Sequence, residues 1–413
     1  MTAQYSAART FFPCRIDAAN GSGSACCQRL TRGIMVFSLV GTVLSGVRPA
    51  LAQEWRVQPS ATVGLVFNDN IELSDVDPQS SMGANLGFAV RVLRSMENAS
   101  LGLRGALRQT TYFNVGELDT TAGLLGLDLG YSTERSQFGL ITSFTTQSTQ
   151  TSEETTTGLS DANGQQYRLN ISPFWSYLLS ERASMELSLS YDDVFYDDVE
   201  GSSLSNYRSG AISVGGRYRL TEQATLDALL GYGRFEATER QTDAVNAELG
   251  AGYAISETLS LNFLLGLQRS ESITPESNGG GASRRSTGPT YTLSLNKDLA
   301  RGGAFTMSAS RSLVPSGAGD ILDTTMVNAD LRYPFSERWR LRLGGQVFRN
   351  REPGTEREES VLYAAAGEVG LSYQVRESLS IQLGYRYRWQ NDEQEQAIAE
   401  SNQVSVTLAW QPR

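Results

Sequence analysis

The sequence predicts an all-β chain: a transmembrane, outer-membrane antiparallel β-barrel of about eighteen strands, with short turns at one end and longer loops at the other. Three observations predict it. From Gln53 onward, segments of roughly ten to fifteen residues alternate apolar and polar positions. The polar connections between these segments alternate in length, and an export leader precedes the first of them.

The leader is read from residues 29–52, RLTRGIMVFSLVGTVLSGVRPALA. Arg29 and Arg32 precede an apolar run from Ile34 to Val47, and Ala50-Leu51-Ala52 supplies a small-residue cleavage site. The run is short for a bilayer span, so residues 1–52 are expected to be removed as a signal peptide and residues 53–413 to form the barrel. Cys14, Cys26 and Cys27 all lie before the cut, so no disulfide and no lipid anchor are expected after it.

Five arginines and one aspartate leave with that segment, which takes the net charge from −10 to −14. A nucleic-acid partner would need the opposite sign. The chain has no histidine, which removes Ser-His-Asp and Cys-His catalysis and histidine-ligated metals. Carboxylate pairs such as Asp192-Asp193 are too common in acidic loops to mark acid–base chemistry. No enzyme activity, cofactor or metal is expected.

The strand signal is sharpest in LSIQLGYRYRW. Ile381, Leu383, Tyr385, Tyr387 and Trp389 share one face there, and Gln382, Gly384, Arg386 and Arg388 the other. Leu101, Leu103, Gly105 and Leu107 separate from Gly102, Arg104, Ala106 and Arg108 in the same way. Short connections fall at SMEN (95–98), TERS (133–136), SERA (180–183), TEQA (221–224), SETL (256–259), ARGG (300–303), SERW (336–339) and RESL (376–379). Longer ones lie near 68–81, 113–119, 151–165, 197–205, 237–242, 270–287, 315–321, 350–359 and 391–400. Eight turns and nine loops give eighteen strands, with both termini at the short-turn end.

A soluble sandwich would bury its apolar face against a second sheet and use short turns at both ends. Here aromatics gather at strand ends on the apolar face, as an interfacial girdle would: Phe67, Tyr112, Tyr131, Trp175 with Tyr177, Tyr218, Tyr253, Tyr333 with Phe335, Trp389 and Trp410. The opposite face is too small to be a packed core. Lipid is therefore the expected cover, because only a closed barrel satisfies all its backbone groups without an edge. Pro173 interrupts one strand and predicts a bulge or a shifted strand end.

If the apolar faces meet lipid, the others line a lumen. Its expected residues are Arg91, Arg104, Arg108, Arg217, Arg219, Asp227, Asp330, Arg332, Arg340, Arg342, Arg386 and Arg388. Three-residue turns at 221–223 and 335–337 would set Arg217 opposite Asp227 and Arg342 opposite Asp330. Paired charges would stiffen the wall, whereas unpaired arginines would favour anions, and the two readings stay open together. The outer loops are acidic: Asp69, Glu72, Asp75 and Asp77, then Glu153 and Glu154, then Asp192, Asp193, Asp197, Asp198 and Glu200. None has a calcium-loop spacing, so they read as solvated charge.

The stretch VQPSATVGLVFNDNIEL, with Phe67-Asn68-Asp69-Asn70-Ile71-Glu72-Leu73 after the first strand, resembles the opening of a family of exported β-barrel porins found with exopolysaccharide-biosynthesis or PEP-CTERM gene sets. The resemblance implies a barrel in the outer membrane of a Gram-negative bacterium and a conduit for secreted polysaccharide, with polysaccharide export machinery or the glycan as partner. A diffusion porin for small solutes, or a plugged barrel with a structural or surface-binding role, are the alternatives. The last segment, QVSVTLAW, puts Val404, Val406, Leu408 and Trp410 on one face, similar to the terminal strand that the barrel assembly machinery reads. It departs from that pattern by ending Gln411-Pro412-Arg413.

Overall fold

Period-two alternation passes directly into strand geometry, and every connection is short enough to pair consecutive strands antiparallel. A computed structural model describes Trp55 to Pro412, apart from residues 155, 157–163, 198–201, 239, 276–280, 352–360 and 394–395. The leader expected at 1–52, and Asp198 and Glu200 of the acidic loops, lie outside the described residues. The strands are β1 (Arg56–Asn68), β2 (Ser81–Ser95), β3 (Ala99–Tyr112), β4 (Thr120–Ser132), β5 (Ser136–Ser148), β6 (Gln165–Leu178), β7 (Ala183–Asp197), β8 (Tyr207–Arg219), β9 (Ala224–Ala237), β10 (Gln241–Ser256), β11 (Leu259–Pro275), β12 (Gly281–Leu299), β13 (Gly303–Pro315), β14 (Ile321–Pro334), β15 (Trp339–Arg351), β16 (Val361–Arg376), β17 (Leu379–Asp392) and β18 (Ala397–Trp410). Each pairs with its chain neighbours, and β1 pairs with β18, from Ala61↔Trp410 to Asn68↔Gln403. The sheet is thus a closed eighteen-stranded antiparallel barrel without an edge.

The short-turn end is built from a recurring tetrapeptide. In TERS, SERA, TEQA and SERW the leading hydroxyl accepts the N–H three residues on: Thr133 from Ser136 at 2.9 Å, Ser180 from Ala183 at 3.1 Å, Thr221 from Ala224 at 3.0 Å and Ser336 from Trp339 at 3.0 Å. A side-chain oxygen that closes the turn on its own backbone explains the repeated Ser or Thr.

Apolar side chains point outward all round the ring and stay exposed, among them Leu65, Leu107, Leu230, Leu249, Leu267 and Val347. The alternate positions face inward. Tyr112 differs from expectation: it is level with Gly83 and on the face of Arg104 and Arg108, so it points inward and not into an outer girdle.

Three further expectations change. No bulge forms at Pro173. The β6–β7 ladder skips Ser172 and Pro173 and resumes in register, Ile171↔Tyr191 then Phe174↔Ser188, while pairing with β5 is unbroken. Proline lacks the N–H that would point to β7, so the gap opens on that side alone. The loop expected at 270–287 is mostly strand, since β11 runs to Pro275 and β12 begins at Gly281. The connection near 237–242 is a tight turn, closed by the Ala237 N–H on the Arg240 carbonyl at 2.8 Å.

Candidate functional site: the inner wall and two loops that cross the mouth

All twelve lumen residues expected from the sequence stand on the inward-facing alternation of their strands. Arg91 lies level with Gln58 and Arg104, and Arg104 donates to Asp128 at 3.0 Å. Arg217 stands opposite Asp227 as expected and bonds it at 2.6 Å. Arg342 is a correction, because the β14–β15 turn is centred on residue 337, one residue later than the expected 335–337 turn places it. Pro334 pairs with Arg340, which sets Arg342 opposite Arg332 and Asp330 opposite Gly344. Asp330 then bridges the two like charges, 2.9 Å from Arg332 and 3.2 Å from Arg342. Arg340 reaches the Gln374 side-chain oxygen at 3.4 Å. Arg91, Arg108 and Arg219 make no ion pair or hydrogen bond among the described residues. The wall is thus partly neutralised: Arg91, Arg108 and Arg219 are left to solvent, and on the same inward face Glu186, Glu248 and Asp298 make no ion pair among the described residues.

Arg386 and Arg388 do something else. They fasten loops that fold into the barrel, and this was not expected for the residues they hold. A single helical turn, α1 (Thr149–Ser152), leads from β5 into Glu153 and Glu154. Glu154, read from the sequence as solvated, receives both its bonds from Arg386 Nη2, at 2.7 and 3.0 Å. The Thr156 carbonyl accepts from Asn350 Nδ2 at 2.7 Å. A loop rooted at β5 and β6 is therefore tied to β15 and β17 on the far side of the ring. Arg388 donates to the Ile71 carbonyl and the Ser401 hydroxyl, each at 3.3 Å, under the first loop, where Ile71 and Leu73 are buried.

Glu153 is 1% exposed and is another correction to the acidic-loop reading. Its Oε1 accepts from the Tyr196 hydroxyl at 2.6 Å, Gln166 Nε2 at 2.9 Å and the Ser152 hydroxyl at 3.1 Å, and its Oε2 accepts from the Thr156 hydroxyl at 2.5 Å. Among the described residues, only neutral donors hold this carboxylate. Buried polar atoms need such partners, and the set pins α1 to β6 and β7.

A second crossing comes from β13 and β14. Their ladder continues to Pro315↔Ile321, whereas β12 stops pairing with β13 at Tyr291↔Arg311, so the hairpin leaves the wall. Its tip reaches the β7–β10 side. The Ser205 N–H donates to the Gly317 carbonyl at 2.7 Å, Asp320 pairs with Arg240, and Ile321 and Leu313 join an apolar cluster with Val194, Tyr196, Leu204, Tyr207 and Phe235. Gly317 meets the first crossing directly, since a Cβ there would lie 2.6 Å from Tyr196 Oη and 2.8 Å from Glu153 Oε2. Only glycine permits that approach.

Asp192, also expected to be solvated, is 8% exposed and faces inward, bonded to Arg168 at 2.7 Å and Asn170 at 3.1 Å. Arg168 itself was missed, although it shares the inward alternation with Gln166 and Asn170. On the wall from β12 to β17, a recess of about 350 Å³ is lined by Ser294, Asn296, Thr306, Asn328 and Gln346 beside Arg342. Hydroxyl and amide groups there offer donors and acceptors to a polar solute. No cluster of three metal-binding side chains occurs among the described residues.

Comparison with known proteins finds no matching family profile and no matching curated relative. Among solved structures, the chain is similar to Pseudomonas aeruginosa OpdQ, with 10% identity over 87% of this chain and 97% of that one and a TM-score of 0.46. It is also similar to Acinetobacter baumannii OccAB4, with 11% identity over 88% and 100% and a TM-score of 0.45. A third is the ferric citrate transporter FecA, with 9% identity over 89% and 80% and a TM-score of 0.46. Likeness this distant does not carry shared function.

Proposed function

We propose that this chain is a porin-like channel of the Gram-negative outer membrane, a passive path for small polar solutes that favours anions. One observation carries it: a closed barrel with apolar side chains outward and arginines inward. An apolar belt round the whole ring is far beyond the few hundred Å² that a soluble monomer exposes. The outward run on β10, from Tyr253 to Val245, would cover about 20 Å of membrane at the usual rise and tilt, close to the apolar band of such barrels. The short turns then face the periplasm and the long loops the exterior.

Among the described inward residues, Arg56, Arg91, Arg108, Arg219 and Arg340 make no ion pair and outnumber the carboxylates Glu186, Glu248 and Asp298 in the same state, which supports the preference for anions. The two crossings at the mouth support small solutes. Export of exopolysaccharide, implied by the resemblance of the first hairpin, would require a polymer to displace both crossings. The outer-membrane lipid and, through Val404 to Trp410, the barrel assembly machinery are the partners this reading needs.

Purified protein in planar bilayers across a KCl gradient tests the proposal. The expected result is steady conductance with an anion-selective reversal potential, which shifts toward the cation side when Arg91, Arg108 and Arg219 are all replaced by glutamine. A closed barrel without conductance, or a potential the triple variant leaves in place, overturns it. Loss of secreted polysaccharide on gene deletion would favour export instead.

A further inference from the structure

On four alternate strands the outward apolar run ends on an arginine as it approaches the long-loop end. Leu226, Leu230 and Tyr232 lead to Arg234 on β9, and Phe263, Leu265 and Leu267 to Arg269 on β11. Met307 and Ala309 lead to Arg311 on β13, and Leu343 and Val347 to Arg349 on β15. On the other side of the ring the same place holds Asn402 on β18, Gln109 on β3 and Thr121 on β4. The basic positions are thus confined to one arc.

The four arginines are not equally satisfied. Arg234 donates to Glu236 at 2.8 Å, and Arg311 makes two bonds to Asp323 at 2.9 and 2.7 Å. Arg269 and Arg349 are exposed and make no hydrogen bond or ion pair among the described residues; the Arg349 guanidinium lies 5.5 Å over the Tyr363 ring. Close by, Arg285 bonds Glu271 at 2.9 Å and Arg351 shares Asp323 with Arg311. Toward the long-loop end of the arc from β9 to β15, Arg234, Arg269, Arg285, Arg311, Arg349 and Arg351 stand with Glu236, Asp243, Glu271 and Asp323 among the described outward residues, a local excess of two positive charges on a chain of net charge −10.

Register makes the boundary sharp. Tyr291, Arg311, Thr325, Arg349 and Tyr363 form one continuous row across β12 to β16. The next row toward the short turns is Leu293, Ala309, Val327, Val347 and Ala365, without a polar side chain. A ligand for this strip must therefore present anionic oxygens directly above hydrocarbon. Guanidinium groups suit phosphate, through paired N–H donors and weak hydration, and the flanking tyrosines suit the amphipathic boundary.

We propose that this arc binds the phosphate groups of an anionic lipid headgroup in the leaflet at the long-loop end, with Arg269 and Arg349 as the primary contacts. The proposal rests on the reading of the barrel as membrane-embedded. A free anion would satisfy the guanidinium groups but would gain nothing from the apolar row beneath them.

The test is native mass spectrometry of the detergent-purified full chain titrated with a bisphosphorylated diglucosamine glycolipid, its dephosphorylated analogue and inorganic phosphate. The parent is expected to retain the phosphorylated lipid alone, with retention falling as salt rises. Arg269→Gln with Arg349→Gln should lower retention about tenfold or more, while Arg269→Lys with Arg349→Lys keeps part of it. Conductance of the glutamine variant should match the parent, since both side chains lie outside the wall. Equal retention by the glutamine variant and the parent, equal retention of the dephosphorylated lipid, or displacement by millimolar inorganic phosphate each overturns the proposal. A barrel that stays dispersed and folded without detergent would overturn the membrane reading, which is a separate failure.

Discussion

Asp69 closes the ring, and replacing it should loosen the seam between the first and last strands. That seam is the shortest of the barrel's ladders, running only from Ala61↔Trp410 to Asn68↔Gln403. Beyond it, Asp69 Oδ1 accepts the Asn402 N–H at 2.6 Å and Oδ2 accepts Asn402 Nδ2 at 2.8 Å, while the Asp69 N–H donates to the Asn402 carbonyl at 3.2 Å. Asn68 Oδ1 takes the Ser401 hydroxyl at 2.8 Å and the Asn70 N–H at 2.9 Å. Asn70 Nδ2 donates to the Ser74 and Glu400 carbonyls at 2.7 and 3.0 Å. The Asn-Asp-Asn triplet is thus a clasp from β1 and its loop onto β18.

Asp69→Ala deletes two hydrogen bonds to a carboxylate, each worth about 1.5–3 kcal/mol when removed. Asp69 is only half-buried and water can reach the freed donors, so a loss of about 2–4 kcal/mol is expected. Asp69→Asn keeps one acceptor and should lose about half of that. Asp75→Ala, in the exposed part of the same loop, should stay within about 0.5 kcal/mol of the parent. Urea unfolding in detergent micelles, followed by tryptophan fluorescence, reads all three. If Asp69→Ala unfolds together with Asp75→Ala, the clasp contributes nothing and the seam holds by its ladder alone.

Other outcomes follow from the crossings and the wall. Glu154→Ala frees Arg386 and releases the first crossing from β17, so single-channel conductance in planar bilayers should rise; an unchanged conductance would mean the crossing does not narrow the path. Gly317→Val drives a side chain into Tyr196 Oη and Glu153 Oε2 and should separate the two crossings, with a larger rise than Glu154→Ala in the same assay. Gly139→Ala places a Cβ 2.0 Å from the Phe174 ring that covers it, and overpacking of this kind costs about 1–3 kcal/mol, measured by the same urea unfolding.

What the sequence made legible, and what it did not, divides along a physical line. Strands, turns and the inward set of arginines were readable because each depends on nearest neighbours: a period of two, a Ser or Thr that closes its own turn, a register fixed by a tight connection. The Arg217–Asp227 pair was predictable for that reason. Arg342 and Asp330 were misaligned by two residues because the turn falls on the SERW tetrapeptide itself, one residue later than 335–337, and a one-residue displacement of a turn shifts the facing strand by two. Asp192 was misread because β7 runs on to Asp197 and puts it on the inward alternation opposite Asn170, whereas Glu153 and Glu154 failed for a deeper reason. An acidic loop has the same composition whether it stands in water or folds into a barrel, and only contacts far apart in sequence, such as Glu154 with Arg386, separate the two. One local signal existed. Glu153 follows Ser152 and precedes Thr156, and both hydroxyls bond its carboxylate. A carboxylate supplied with its own neutral donors no longer needs water, and that makes burial of an unpaired charge at the crossing affordable to the fold. The same logic predicts that Thr156→Val, which removes one donor and leaves the carboxylate buried, should disturb the crossing more than replacing an exposed acid such as Asp75.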